Sequence, residues 1–90
     1  MFRVKRSINV SEKRQGYIYY VPLLYPELSR KRKEKLEELC RRAGGDYADA
    51  VLEFVTTDHG AIAVSQKHYI SRETLDRAVR RYYEMFPKDF

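Results

Sequence analysis

The chain has a single cysteine, Cys40, and no long uninterrupted apolar stretch. One cysteine cannot form an internal disulfide or a cysteine-based metal site, which is typical of a protein from a reducing compartment. Without a long apolar run, no segment is expected to span a bilayer, and the first ten residues, MFRVKRSINV, lack the apolar core of a signal peptide. We therefore expect a cytoplasmic protein that has no membrane partner.

Motifs that carry catalysis or bind cofactors are missing as well. His59 and His68 are nine residues apart, which is not a helical metal spacing, and there is no glycine-rich phosphate loop, serine-centred elbow or paired carboxylate motif. The TTDH segment at 56–59 resembles a catalytic Asp-His pair, but helix capping explains it better. We expect no enzymatic activity, no cofactor, no metal site and no small-molecule substrate.

What the chain does have is enough apolar material for one small domain, residues 1–90. Hydrophobic residues make up 43% of the chain and aromatic residues 13%, so it should fold rather than stay disordered. Its net charge of +5 is unevenly distributed: residues 1–20 carry +4, residues 21–43 carry +3, residues 44–60 carry −4 and residues 61–90 carry +2. The basic regions can approach a polyanion, whereas the acidic middle cannot.

Residues 1–22 are predicted to form a β-hairpin or an extended arm. The apolar residues of FRVKRSINV fall at even positions, broken at Arg6, and GYIYYV is β-branched and aromatic between Gly16 and Pro22. The intervening SEKRQG would form the hairpin turn. An arm that tracks a DNA groove fits almost as well, and periodicity does not decide between the two.

Residues 29–87 are predicted to form a helical domain of about four helices, so that the fold is mainly α. Ser29 should cap a first helix of about residues 30–43, which the glycine pair 44–45 should end with a left-handed residue. Asp46 should cap a second helix. Apolar residues cover a broad sector of that helix, which predicts a central, buried position.

The last two predicted helices lie at about 59–67 and from Ser71 to Pro87. Thr57 or Asp58 should cap the shorter one, whose inward residues would be Ile62 and Ser65. The final helix has apolar residues at spacings of three and four, which predicts one buried face. That face comprises Leu75, Ala78, Val79, Tyr82 and Phe86.

Together these two helices have the pattern of a helix-turn-helix, in which the second helix projects its outer face into the major groove. Small residues at 61, 65 and 78 would permit close approach, Ile70 would plug the corner, and Ser71 would cap the second helix. The outward face would then be strongly charged. It carries Arg72, Glu73, Asp76, Arg77 and Arg80, with Thr74 beside it.

At these residues the sequence resembles the helix-turn-helix domains of bacterial and phage regulators, recombinases and transposases. Their second half commonly reads G-[IV]-S-x-x-T-[LIV]-x-R, and residues 69–77 read YISRETLDR. The resemblance covers about residues 61–80. It departs from the family at Tyr69, which stands where glycine is usual, and at His68, which stands where an apolar residue is usual.

The resemblance implies a set of residues that face DNA. Arg72 and Arg77 are the candidates for base contact, whereas Lys67 and Arg81 are candidates for phosphate contact. Glu73 and Asp76 could accept from a cytosine amino group or pair with arginines of the same helix, and we favour the pairing. The complete predicted set is Lys67, Ser71, Arg72, Thr74, Arg77, Arg80 and Arg81.

Two further segments remain open to more than one interpretation. The basic run RKRKEK at 30–35 is either a solvated helix face or a phosphate-binding surface. The tyrosines of YIYY at 17–20 either pack against the domain, which we favour, or form a stacking platform for single strands.

The sequence as a whole favours a sequence-specific double-stranded DNA-binding protein. Its size and the resemblance suggest a transcriptional regulator or accessory factor of a phage or mobile element. We expect a homodimer that associates through the hairpin or the tyrosine-rich segment. The alternative is a protein-interaction module, such as an inhibitor of a host enzyme, that would use the acidic middle or the hairpin edge. Salt-dependent binding to duplex DNA distinguishes the two.

Overall fold

The computed structural model describes Lys5 and residues 8–90, and this part of the chain is mainly helical, as predicted. It contains α1 (Glu12–Tyr20), α2 (Arg30–Gly44), α3 (Ala48–Thr56), α4 (Ala61–Lys67) and α5 (Arg72–Met85). Short 3₁₀ segments at Val21–Glu27 and Gly45–Tyr47 join α1 to α2 and α2 to α3. No helix among the described residues combines the length and the apolar character needed to cross a membrane.

The predicted N-terminal hairpin is wrong. The residues assigned to its turn and its second strand form α1 instead, and Ser11 caps this helix by accepting a hydrogen bond from the Arg14 amide at 3.3 Å. Most of the proposed first strand falls on residues 1–4, 6 and 7, which lie outside the described part. Ile18 is buried in the core, so this aromatic segment packs as a helix against the rest of the domain.

A buried glutamine connects α1 with the chain that precedes it. The Gln15 side-chain amide donates to the carbonyls of Lys5 at 3.0 Å and Val10 at 2.9 Å, and its oxygen accepts from the Lys5 amide at 2.8 Å. Backbone groups that a strand partner would have bonded are thus satisfied by one side chain.

The helix α2 agrees closely with the prediction. Ser29 caps it by accepting from the Arg32 amide at 3.3 Å, and Gly45 follows it with the positive φ of 55° that only glycine adopts at low cost. The predicted inward residues at 36, 39, 40 and 43 are all buried. A Cβ on Gly44 would lie 3.0 Å from Cγ2 of Val51, so Gly44 allows α2 and α3 to approach closely.

The helix α3 has the central position that its broad apolar face predicted. It packs against α2, α4, α5 and the first 3₁₀ segment, and Val51 is fully buried. Its start differs from the prediction, because the 3₁₀ turn Gly45–Tyr47 intervenes and the residue before α3, Tyr47, provides no side-chain cap. Asp46 is therefore not the cap of this helix.

The helix α4 begins later than predicted, and one of its two predicted inward residues is exposed. Gly60 precedes it in place of Thr57 or Asp58, because the Thr57 hydroxyl instead donates to the Glu53 carbonyl at 2.6 Å and closes the end of α3. Ser65 is buried as predicted, but Ile62 is 57% exposed, and Val64 occupies the core instead.

The longest helices, α2 and α5, pack against each other in opposite directions. Arg81 of α5 contacts the carbonyl of Ala43 at the end of α2, while Phe90, beyond α5, lies beside Arg32 at the start of α2. All five residues predicted to form the buried face of α5, the first of them Leu75 and the last Phe86, are buried. Since that face is fixed in the core, the opposite face of α5 is fixed toward solvent.

Candidate nucleic-acid interface

The connection between α4 and α5 is a tight turn with two defining hydrogen bonds. The Ile70 amide donates to the Ser65 carbonyl at 3.0 Å, and the Tyr69 amide donates to the Gln66 carbonyl at 3.3 Å. These are the two bonds of a Schellman motif, which places a left-handed residue after the last helical turn. That residue is Tyr69, whose φ is 56°. Tyr69 thus has the positive φ that the usual glycine would provide.

The turn passes directly into a capped helix. Ile70 is partly buried and packs against the core, and Ser71 caps α5 by accepting from the Thr74 amide at 3.1 Å. The Ser71 and Thr74 hydroxyls are also hydrogen-bonded to each other at 2.8 Å. Ser65 and Ala78, two of the small residues expected where α4 and α5 approach each other, are both buried, and the two helices are in contact. The turn therefore fixes where α5 begins and which way it faces.

The solvent face of α5 carries the predicted charged residues. Arg72, Glu73, Asp76, Arg77 and Arg80 are all exposed, while Thr74 is half-buried beside them. Within the described residues, neither Glu73 nor Asp76 forms an ion pair, so the favoured pairing with arginines of the same helix is not observed. The face presents guanidinium and carboxylate groups side by side along the helix.

The two residues predicted to contact phosphates, Lys67 and Arg81, bond to other parts of the chain. The ammonium group of Lys67 lies 3.1 Å from Oε1 of Glu53. Nε of Arg81 donates to the Ala43 carbonyl at 2.8 Å, which satisfies one of the carbonyls that the end of α2 leaves without a helical partner. The sequence pattern predicted that Lys67 lies in the first helix of the motif and Arg81 in the second, but it could not show these tertiary partners.

A cluster around Glu53 supports the start of the turn, and no pattern in the sequence indicates this cluster. The Glu53 carboxylate accepts hydrogen bonds from Nδ1 of His59 and Nε2 of His68, both at 2.9 Å, in addition to its contact with Lys67. These bonds from His68, His59 and Lys67, in that order, lower the pKa of Glu53 to about 2. Because His68 immediately follows α4, the cluster attaches the turn to α3. The described residues contain no group of side chains arranged to hold a metal ion.

Replacing Glu53 by glutamine should lower the free energy of unfolding by about 1–2 kcal/mol, because charge-assisted hydrogen bonds become neutral ones. A carboxylate whose pKa is depressed on folding stabilises the fold above its ordinary value of 4.5, and this contribution is lost as the pH falls toward about 2. Urea denaturation should therefore show a difference in the free energy of unfolding between wild type and Glu53→Gln, and this difference should shrink as the pH falls through this range.

The matched control for that experiment is Glu73→Gln, because Glu73 is exposed and forms no ion pair within the described residues. It should change stability by less than about 0.5 kcal/mol at any pH. If wild type and Glu53→Gln differed in the free energy of unfolding by the same amount at about pH 5 and about pH 2.5, the assigned role of the carboxylate would be contradicted.

The basic run at the start of α2 lies far from the turn. Its side chains are exposed or half-buried, and Arg30 forms only a 3.6 Å ion pair with Glu34 on the same helix. Since α2 and α5 are antiparallel, this run lies near the carboxyl end of α5, about 20 Å along the helix from Ser71. The run and the outer face at the start of α5 are therefore separate charged surfaces.

The tyrosine-rich segment packs against the end of α5, in agreement with the favoured interpretation. Tyr17 contacts Phe86 edge to face at 6.2 Å, and Arg14 lies over the Tyr17 ring at 5.1 Å while its guanidinium donates to the Pro87 carbonyl. Tyr17 and Tyr20 nevertheless remain 39% and 55% exposed. Packing against the domain therefore leaves part of this aromatic surface exposed.

Comparisons with protein-family models, with curated proteins and with solved structures found no match to this chain. The function of the α4–α5 surface is therefore inferred from its own residues and geometry.

Proposed function

We propose that this chain binds double-stranded DNA through a helix-turn-helix formed by α4, the turn at 68–71 and α5, with α5 in the major groove. The observation that carries the proposal is the positive φ of Tyr69, because it occurs at the one position where the motif requires it. The Ser71 cap and the buried face of α5 support the same arrangement.

In this proposal the residues of α5 have separate roles. Arg72 and Arg77 reach base edges, since a guanidinium can donate two hydrogen bonds to O6 and N7 of guanine. Arg80, farther along α5, contacts the phosphate backbone of the DNA. Glu73 and Asp76, which form no ion pair among the described residues, are able to accept from cytosine amino groups.

The contacts of other predicted residues modify their proposed roles. Ser71 and Thr74 bond to each other and shape the start of α5, so their contribution is a backbone amide or a shared hydroxyl directed at a phosphate. Lys67 and Arg81 have partners within the chain and contribute less to DNA binding than their charge alone suggests.

One such helix gives limited affinity, so the proposed DNA-binding form is a homodimer. The exposed parts of Tyr17, Tyr20 and Leu24, which are 39%, 55% and 52% accessible, are the proposed contact surface. The proposed biological role, a transcriptional regulator or accessory factor of a phage or mobile element, rests on the helix-turn-helix resemblance.

The test is fluorescence anisotropy of a labelled random duplex titrated with purified protein at increasing salt. Lys and Arg that neutralise phosphates release counterions, so a bound homodimer that contacts about six phosphates, about three per protomer, should bind about 10³-fold more weakly at about 200 mM than at about 50 mM salt. Absence of binding at the lowest salt would overturn the proposal. It would also favour the alternative of a protein-interaction module.

A further inference from the structure

Tyr69 combines two properties that are unusual in one residue. It is the only non-glycine residue in the described part of the chain with a positive φ, and its side chain is 95% exposed. The Schellman bonds from Tyr69 and Ile70 show that the turn itself requires this backbone conformation. Glycine satisfies the requirement without strain, whereas a residue with a Cβ does not.

Within the described part of the chain, no packing of the tyrosine ring compensates for that strain. Tyr82 and Tyr83, by comparison, are 0% and 7% exposed and contribute their rings to the core. A strained residue whose side chain contacts solvent destabilises the fold without adding packing, and such outliers are concentrated at functional sites. The side chain of Tyr69 therefore has its use outside the domain.

The position of Tyr69 indicates the partner. It lies between the end of α4 and the capped start of α5, three residues before Arg72, at the edge of the surface assigned to DNA. Tyrosine hydroxyls are among the side-chain donors that position proteins on DNA phosphates. We propose that the Tyr69 hydroxyl donates a hydrogen bond to a backbone phosphate beside the groove that α5 enters. This inference rests on the proposed function.

Two variants separate the hydroxyl from the strain. Tyr69→Phe keeps the ring and the backbone conformation, so it should bind duplex about tenfold more weakly at constant salt while melting at the wild-type temperature. Tyr69→Gly should also bind about tenfold more weakly, but it should melt a few degrees higher because the strain is relieved. Tyr47→Phe, which alters an exposed tyrosine outside the motif, is the control and should bind like the wild type.

Anisotropy on one duplex and thermal melting of the same samples provide both readouts. Weaker binding by both variants, with a higher melting temperature only for Tyr69→Gly, would support the inference. Wild-type affinity in Tyr69→Phe would overturn it while leaving the proposed function intact, and so would an unchanged melting temperature in Tyr69→Gly. Absence of DNA binding by the wild type would overturn both.

Discussion

Replacing Leu75 by alanine is expected to lower the free energy of unfolding by about 2–5 kcal/mol. Leu75 is fully buried on the inward face of α5, and removing its side chain leaves a cavity that the surrounding helices can fill only in part. A domain of this size has a total stability of roughly 5–13 kcal/mol, so the loss is a large share of it. Chemical denaturation and thermal melting measure the effect, and the melting temperature should fall by more than about 10 °C.

The neighbouring residue provides the matched control. Glu73 is exposed on the same helix, two residues earlier, and Glu73→Ala should change stability by less than about 0.5 kcal/mol. If the two variants were equally stable, α5 would not be anchored by the face that the structure buries. The outward direction of its arginines, on which DNA contact depends, would then be wrong as well.

Helices with one continuous apolar stripe could be predicted from the sequence almost to the residue. In α2 and α5 the serine caps, the buried positions and the ends agree with the structure, because local capping and a single buried face determine all of them. Ile70, as an apolar residue before a cap, and Ser71, as the cap itself, are enough to locate the turn at Tyr69 from the sequence. The positive φ of Tyr69 strains the backbone, and the surrounding contacts impose it.

The elements that were predicted wrongly depend on tertiary contacts. GYIYYV has the composition of a strand, but Ile18 is buried in the helical core and the Tyr17 ring contacts Phe86. These packing contacts outweigh a weak β-propensity. The phase of α4 was wrong because seven residues offer two similar apolar faces, and Val64 packs in place of Ile62. A periodicity argument cannot choose between faces over so few turns.

The candidate surface shows the same division. The spacing of the arginines on α5 predicted which of them are exposed, because only the geometry of one helix was needed. The partners of Lys67 and Arg81 lie 14 and 38 residues away in sequence, at Glu53 and Ala43. No local pattern reports such contacts, so the sequence alone could not show that the two predicted phosphate contacts also bond within the chain.

These contacts determine how sequence recognition should be tested. Arg77→Ala should weaken binding to a selected DNA site by about 1–3 kcal/mol and remove the preference at one base position, if Arg77 donates to a guanine. Arg77 is exposed on α5, and no hydrogen bond or ion pair joins it to another described residue, so its removal should leave the melting temperature unchanged. The site is first selected from random duplexes with the wild type, and both proteins are then compared on the same pool.

Arg81 is unsuitable as the control, because its bond to the Ala43 carbonyl makes Arg81→Ala a change in stability as well as in charge. Arg42 is an exposed arginine on α2, outside the motif, and replacing it by alanine removes the same charge without breaking that bond. Arg42→Ala should therefore weaken all duplexes alike or not at all, and leave the base preferences as they are. If Arg77→Ala behaved in the same way, Arg77 would attract DNA only through its charge, and base contact by this residue would be excluded.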